Sequence, residues 1–538
     1  MYGTEITDDY RTAAGIKQIE YLIDEGSTVL LVANNYYTDI LEFDGWYSVD
    51  EDYHQTLISN IPNYKFVFNN AEKIICKWKF KDEEDETDYS QEYFTITAVD
   101  DCAVYASVIL YPHHQNSATR WIYHTAISYT LEYSINNGPW QSKEIRKIDE
   151  DSPAGVVVKV ADMNATDKME IRCVAPWQYT VNNATNIIKH VRIFTGTKGQ
   201  NPYSDYPIAD KLCRISGNLL SLVYGVNFLN SNILNDNYLR YPFEFCNVLD
   251  SYNIVFPILS DPSNNSHWSD RASYYSNWGT YLYVDHDGNG QNINEHQADG
   301  RFNRMLNNNK YMIRGPKTLG TNTFKSDYTL LLTQCHNLNN VPLMPITTLA
   351  KGCYSGIFNS CHNLAQGAIL PATQCADNCY YQMYYACYNL ADPGSISATT
   401  LASGCYIGMY QGCTSLQTAP QLIAELIPHS TYGRSVYDEM FGGCVNLSFI
   451  EIDARYRTPG YRYGLGWMFG YPDWYVIDNP DRADDWWMWQ PKVAGRLFKD
   501  PRAEIDQTTG SSWMSRESLE YYGTQLPEDW TFEDISIG

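Results

Sequence analysis

Cys335, Cys361, Cys387 and Cys413 stand 26 residues apart, and Cys444 follows after 31. Leu338, Leu364, Leu390, Leu416 and Leu447 hold the same register three residues after each cysteine. Ile357, Met383, Met409 and Met440 hold it four residues before, and Phe358, Tyr384, Tyr410 and Phe441 take the next position. A fixed period of this length points to stacked units, each of which needs its neighbours to cover an apolar edge. Phe243, Cys246 and Leu249 fit the register upstream. The array is therefore expected to begin near residue 210 and to be broken by a long insertion, residues 259–325. A second column, Cys353, Cys379 and Cys405, ends in Val436. Exchange of Cys for Val suits a small thiol that packs without reacting. His336 and His362 follow two first-column cysteines, but Tyr388, Thr414 and Val445 take their place later, which argues against a ladder of metal ligands.

The repeats leave most of the chain to be explained. Residues 1–91 carry short apolar and aromatic runs at 28–33, 64–68 and 74–80, which read as strands. An acidic stretch, residues 81–88, forms a solvated boundary. Between 92 and 205, β-rich runs separated by Asp, Asn, Gly and Pro predict a small sandwich of two sheets. Asn136-Asn137-Gly138 marks a hairpin turn between Leu131–Ser134 and Trp140.

Charge and cysteine usage narrow the function classes. With 63 Asp and Glu against 38 Lys and Arg, the net charge of -25 disfavours nucleic acid and anionic membranes as partners. The N-terminus lacks the basic and apolar regions of a secretory signal, and no apolar run approaches the roughly 20 residues of a membrane span. The expectation is synthesis in a cytoplasm with no membrane insertion. Fourteen cysteines in 538 residues are read as packing groups, because a chain this long can build its core without disulfide staples.

Several segments combine this spacing with specific words: Pro371-Ala-Thr373, Asp377–Met383, Thr399–Cys405 and Gly408–Pro420. With them the sequence resembles the BspA-type leucine-rich repeat proteins of gut Bacteroidales and their phages. Tyr93–Asp101, Leu131–Ser142 and Ile215–Phe228 resemble the β domain and capping segment that precede such arrays. Gly466–Phe469, Arg496–Lys499 and Leu526–Phe532 resemble the terminal cap. The resemblance covers roughly residues 92–538 and leaves out the first 90. Residues 423–435 lengthen one repeat by five, and 259–325 and 467–489 are enlarged.

The expected fold class is thus mixed and multidomain. It comprises a β-rich attachment or assembly region (1–91), a β-sandwich (92–205), a cap with the first repeat (206–258), an insertion (259–325), a leucine-rich repeat solenoid (326–450) and a C-terminal cap with aromatic-rich loops (451–538). The resemblance implies binding or surface attachment without catalysis. Joined to the extra N-terminal region, it suggests a virion protein of a Bacteroides-infecting, crAss-like phage, placed in the tail and contributing to host attachment. The alternatives are a purely architectural tail or capsid component and a bacterial surface adhesin. Partners expected on that reading are other virion proteins through residues 1–91, a second copy of the chain, and a host-surface glycan or protein.

Two constellations could carry chemistry. Asp285, Asp287 and Asn289 alternate as oxygen ligands do in a calcium loop, Gly290 permits the turn, and Gln291 and Glu295 could complete the set. The glutamate expected at 296 is replaced by His, so the loop is either an optional calcium site or a polar turn. Trp474, Trp486, Trp487 and Trp489 lie among Asp473 and Asp485. Indole faces beside carboxylates can bind a sugar or anchor a protein interface, or pack within the cap. No cofactor is required, and Gly-x-Ser-x-Gly, His-Glu-x-x-His and phosphate-loop motifs are absent from the sequence.

Overall fold

A computed structural model of the protein describes residues 28–32, 41–49, 55–67, 73–80, 87–110, 128–146, 157–174, 188–198, 209–230, 246–257, 304–320, 328–428, 436–457, 490–503, 514–521 and 529–535. Short pieces at 114–115, 121–122, 242–243, 281–284, 290–293, 302, 468–470 and 527 complete the described set.

The described strands between residues 28 and 80 pair antiparallel. Thr28–Val32 pairs with Asn63–Val67, and Leu41–Val49 lies between Gln55–Ser59 and Lys73–Phe80. Beyond them, two sheets enclose a common core. The larger places Gln141–Arg146, Ser128–Ile135, Lys168–Cys173, Phe94–Ala98, Cys213–Asn218 and Val248–Asp250 in that order. The smaller centres Cys102–Leu110 between Val158–Met163 and Ile188–Gly196. Alternation does the sorting: in Phe94–Ala98 every second residue is buried, and Phe94 and Ile96 share a core with Leu131, Ile171, Tyr105 and Phe194. Asn136 and Asn137 both adopt left-handed backbone (φ 51° and 58°), and Gly138 N–H returns to the Ile135 carbonyl at 2.9 Å. This closes the hairpin at the place the Asn-Asn-Gly triplet marks.

Strand Cys213–Asn218 carries the larger sheet onward, pairing antiparallel with Phe94–Ala98 and parallel with Val248–Asp250. Helix Ser221–Tyr224 follows, and Ser221 Oγ ties it down by accepting from Phe94 N–H and donating to the Ile171 carbonyl. Gly225 ends it in left-handed backbone, so close to the Cys173 carbonyl that a Cβ would collide.

The leucine-rich repeat solenoid expected over 326–450 is corrected by what lies there. That architecture requires a sheet running the length of the array, backed by a helical segment in each turn, so that the chain curls. Among the described residues the molecule is a mixed β-rich multidomain structure whose two short α-helices, Ser221–Tyr224 and Arg516–Tyr521, both fall outside the repeats. The repeats supply only the two-residue strand pairs Ile369–Leu370 with Ser395–Ile396 and Leu426–Ile427 with Tyr456–Arg457, plus isolated bridges. Most of each repeat is a chain of turns. In 354–361, alternate N–H groups donate to the carbonyl 25 residues ahead, as from Tyr354 to Cys379 and from Phe358 to Met383. The intervening ones donate three residues back, as from Cys361 to Phe358. Gly352, Gly356 and Ser360 turn the backbone left-handed every fourth residue, and Asn378, Gln382 and Ala386 repeat the pattern one unit later.

At the C-terminal end, Gly495–Lys499 lies parallel between Phe449–Ile452 and Trp530–Asp534. Phe441 N–H bonds the Met468 carbonyl at 2.8 Å, and Phe469 meets Trp530 edge to face at 5.1 Å, so this sheet covers the last repeat unit.

Candidate functional site

The ladder columns lie inside. The side chains of Cys335, Cys361, Cys387, Cys413 and Cys444, and of Leu338, Leu364, Leu390, Leu416 and Leu447, are fully buried. Each thiol donates to a carbonyl of the preceding unit: Cys361 to Leu332 at 3.2 Å, Cys387 to Phe358 at 3.0 Å, Cys413 to Tyr384 at 3.2 Å. Burial raises their pKa well above that of an exposed thiol. They are therefore protonated donors with no nucleophilic character. Beside them run two ring columns, Phe358–Tyr384–Tyr410–Phe441 at 5.3 to 5.8 Å and Tyr328–Tyr354–Tyr380–Tyr406–Tyr437 at 5.8 to 6.1 Å between centroids. His336, His362 and Tyr388 stack nearer the surface, at 4.3 and 4.5 Å. They form a packing column without ligand geometry, and among the described residues no group of His, Cys, Asp or Glu is arranged to hold a metal ion.

The surface that could meet a partner is made by the short strands. Each turns one residue in and the next out: Leu370, Ile396 and Ile427 are buried, while Ile369, Ser395 and Leu426 face solvent. With Leu343 and Tyr456 they form one column in the repeat register, in which Ile369 is 69% exposed, Leu343 63%, Leu426 48% and Tyr456 43%. Backbone pairing of Ile369 with Ser395 and of Leu426 with Tyr456 fixes these residues on neighbouring rungs, spaced about 4.8 Å apart as parallel strands are. Polar groups flank the stripe. Gln366 and Asp392, and Gln374 and Thr400, are exposed and paired through their backbones, and Glu425 pairs with Arg455 at 2.9 Å. Asp453 nearby has its pKa raised by burial first and then by Glu451 and Asp500, a sign of crowded acidic charge. An apolar strip with acidic and amide edges can bury against a partner. It contains no nucleophile aligned with a base.

The residues singled out from sequence fall elsewhere. Trp474, Trp486, Trp487, Trp489, Asp473 and Asp485 lie outside the described residues, as do Asp285, Asp287, Asn289 and Glu295. Gln291 lies on strand Gly290–Ile293, opposite Tyr283 of Tyr281–Val284, and its side chain is outside the description. The exposed column was missed, although a signal existed: Leu343, Ile369, Ser395 and Leu426 each stand 18 residues before a first-column cysteine. Among the described residues no helix is long and apolar enough to cross a membrane. No family model, curated protein or solved structure matches the chain.

Proposed function

We propose that the chain is a non-catalytic structural protein of a phage virion, tail-associated, with the exposed column of its repeat units contributing to host-surface recognition. The observation that carries this reading is the set of large apolar side chains, Leu343, Ile369, Leu426 and Tyr456, held outward on backbone-paired rungs. Solvent-facing apolar groups in one register cost solubility, and a surface that keeps them is explained by a partner that covers them. The resemblance of the repeat words to phage and bacterial surface proteins supplies the setting. In that setting, residues 1–91 serve assembly with other virion proteins, the chain forms a homo-oligomer, and calcium binding at Asp285 and Asp287 is optional.

Two measurements test the proposal. Antibody labelling of purified particles should find the chain on the tail; its presence on uninfected bacteria and absence from particles would assign it to a bacterial adhesin. Full-length chain should bind host cells, and Ile369→Ser with Leu426→Ser should weaken that binding by at least about tenfold, the effect of losing two anchor side chains. Thermal stability should hold, because both residues are exposed. Equal binding by the variant would remove the column from recognition, and no binding by either protein would leave a purely architectural role.

A further inference from the structure

The strands between residues 28 and 80 hold little interior of their own. Among their described side chains only Trp46 and Ser59 are buried, and Trp46 stands outside the core that runs through the sheets and the ladder. Leu30, Leu57, Ile61 and Val67 are instead exposed, by 53, 53, 55 and 44%.

This exposure is organised on the ribbon formed by Thr28–Val32 and Asn63–Val67. Leu30 pairs with Lys65 and Thr28 with Val67, and side chains directly opposite one another, or two apart along a strand, share a face. Thr28, Leu30, Lys65 and Val67 therefore lie on one face with Asn63, and all five are exposed. Leu31, Tyr64 and Phe66 belong to the reverse face and are half-buried. A two-stranded ribbon is marginal in water, and apolar side chains turned outward on one are stabilised when a partner covers them.

Charge indicates which partner. Lys65 is the only charged side chain of the two strands, and it shares its face with Leu30 and Val67. From residue 55 to 80 the chain carries Lys65, Lys73, Lys77 and Lys79 against Glu72 alone, a cationic stretch within a chain of net charge -25. A cation among apolar groups complements a surface that sets carboxylates among apolar groups. The same face of a second copy does not fit, because a symmetric contact would set Lys65 against Lys65. The acidic remainder of a second copy does fit, and it is present wherever the first copy is.

We propose that this ribbon face is where one copy of the chain docks on the acidic body of the next, with Leu30 and Val67 buried in the contact and Lys65 paired with a carboxylate. The inference rests on the assembly role proposed for residues 1–91 and gives that role a surface and an occupant. The two surfaces differ, so the contact is head-to-tail and either closes into a ring or extends as a row.

Sedimentation of the purified full-length chain, across a range of concentrations, tests it. The native chain should associate as concentration rises. Leu30→Ser with Val67→Ser, and separately Lys65→Glu, should each raise the concentration of half-association at least about tenfold, while Lys65→Arg should leave it unchanged. All three positions are exposed, so the variants should melt as the native chain does at a concentration where each is monomeric. A native chain that stays monomeric throughout, or association that ignores either the double substitution or Lys65→Glu, would overturn the proposal. Particle labelling separates this result from the virion reading. A monomeric chain still found on the tail would overturn the contact and leave that reading standing; an associating chain that loses association in both variants, yet is absent from particles, would do the reverse.

Discussion

A first-column cysteine does two jobs in a space with room for one small side chain. Cys387 is fully buried, and its thiol reaches the Phe358 carbonyl at 3.0 Å, an oxygen that already accepts Cys361 N–H within its own unit. Cys387→Ala loses the sulfur's packing and the second hydrogen bond without orphaning the carbonyl. The expected cost is about 1–2 kcal/mol, read as a lower urea midpoint with unchanged slope. A loss above about 4 kcal/mol would mean that the thiol holds the rung together by something other than packing and a weak donor bond. At this scale the sequence was highly legible, because a column recurring at a fixed interval can only be a repeated environment. The backbone was less so. Gly356 and Gly408 announce a left-handed position, but the same position is Gln382 in the unit between them, with φ 49°, and a glutamine carries no such announcement.

That gap explains why the elements between the columns were misread. A period of 26 states that units stack, yet it does not state how each closes. A strand with a helix and a run of turns with alternate hydrogen bonds can both return the chain to register. Left-handed residues every fourth position select the turns, and only some of them are glycine. The His336–His362–Tyr388 column belongs to these turns. His336 Nδ1 lies 2.8 Å from the Ser360 carbonyl and donates to it, and burial pushes the ring's pKa below 6.5, with Lys310 adding to the fall. The fold therefore prefers the neutral ring. Above the unfolded value, near 6.5, both states are neutral and stability is full. As pH drops below it, the unfolded chain takes up a proton that the fold resists, and stability is lost until the folded pKa is passed. Thermal scans should show the melting temperature falling as pH drops below about 6.5, and His336→Gln should flatten that slope. An identical slope in the variant would place the acid sensitivity elsewhere.

Across the whole molecule, one continuous apolar core runs from Phe94 in the larger sheet through the ladder to Trp530. The sequence divides the chain by composition, but the strand Cys213–Asn218, expected with the cap, pairs into the sheet of the preceding segment, since strand pairing leaves no compositional trace. Asp250 sits at that crossing. Its carboxylate is almost fully buried and takes Arg214 Nε at 3.1 Å from the larger sheet, and Arg314 Nη2 at 2.8 Å and Nε at 3.2 Å from the segment leading into the repeats. Tyr252 N–H donates to it at 2.8 Å, while the Arg314 guanidinium lies 4.5 Å from the centre of the Tyr252 ring. Removing the shared anion takes away the carboxylate that both guanidinium groups, each largely buried, are bonded to. Asp250→Ala should cost about 3–5 kcal/mol, the usual effect of breaking a buried ion pair from one side. The sheets and the ladder each keep their own apolar interior in this variant, so the damage is concentrated at the seam. Calorimetry should then resolve the sheet pair and the repeat units as two transitions where the native chain melts them as one. A single transition shifted down as a whole would show that the apolar contacts across the seam, and not the ion cluster, couple the two halves.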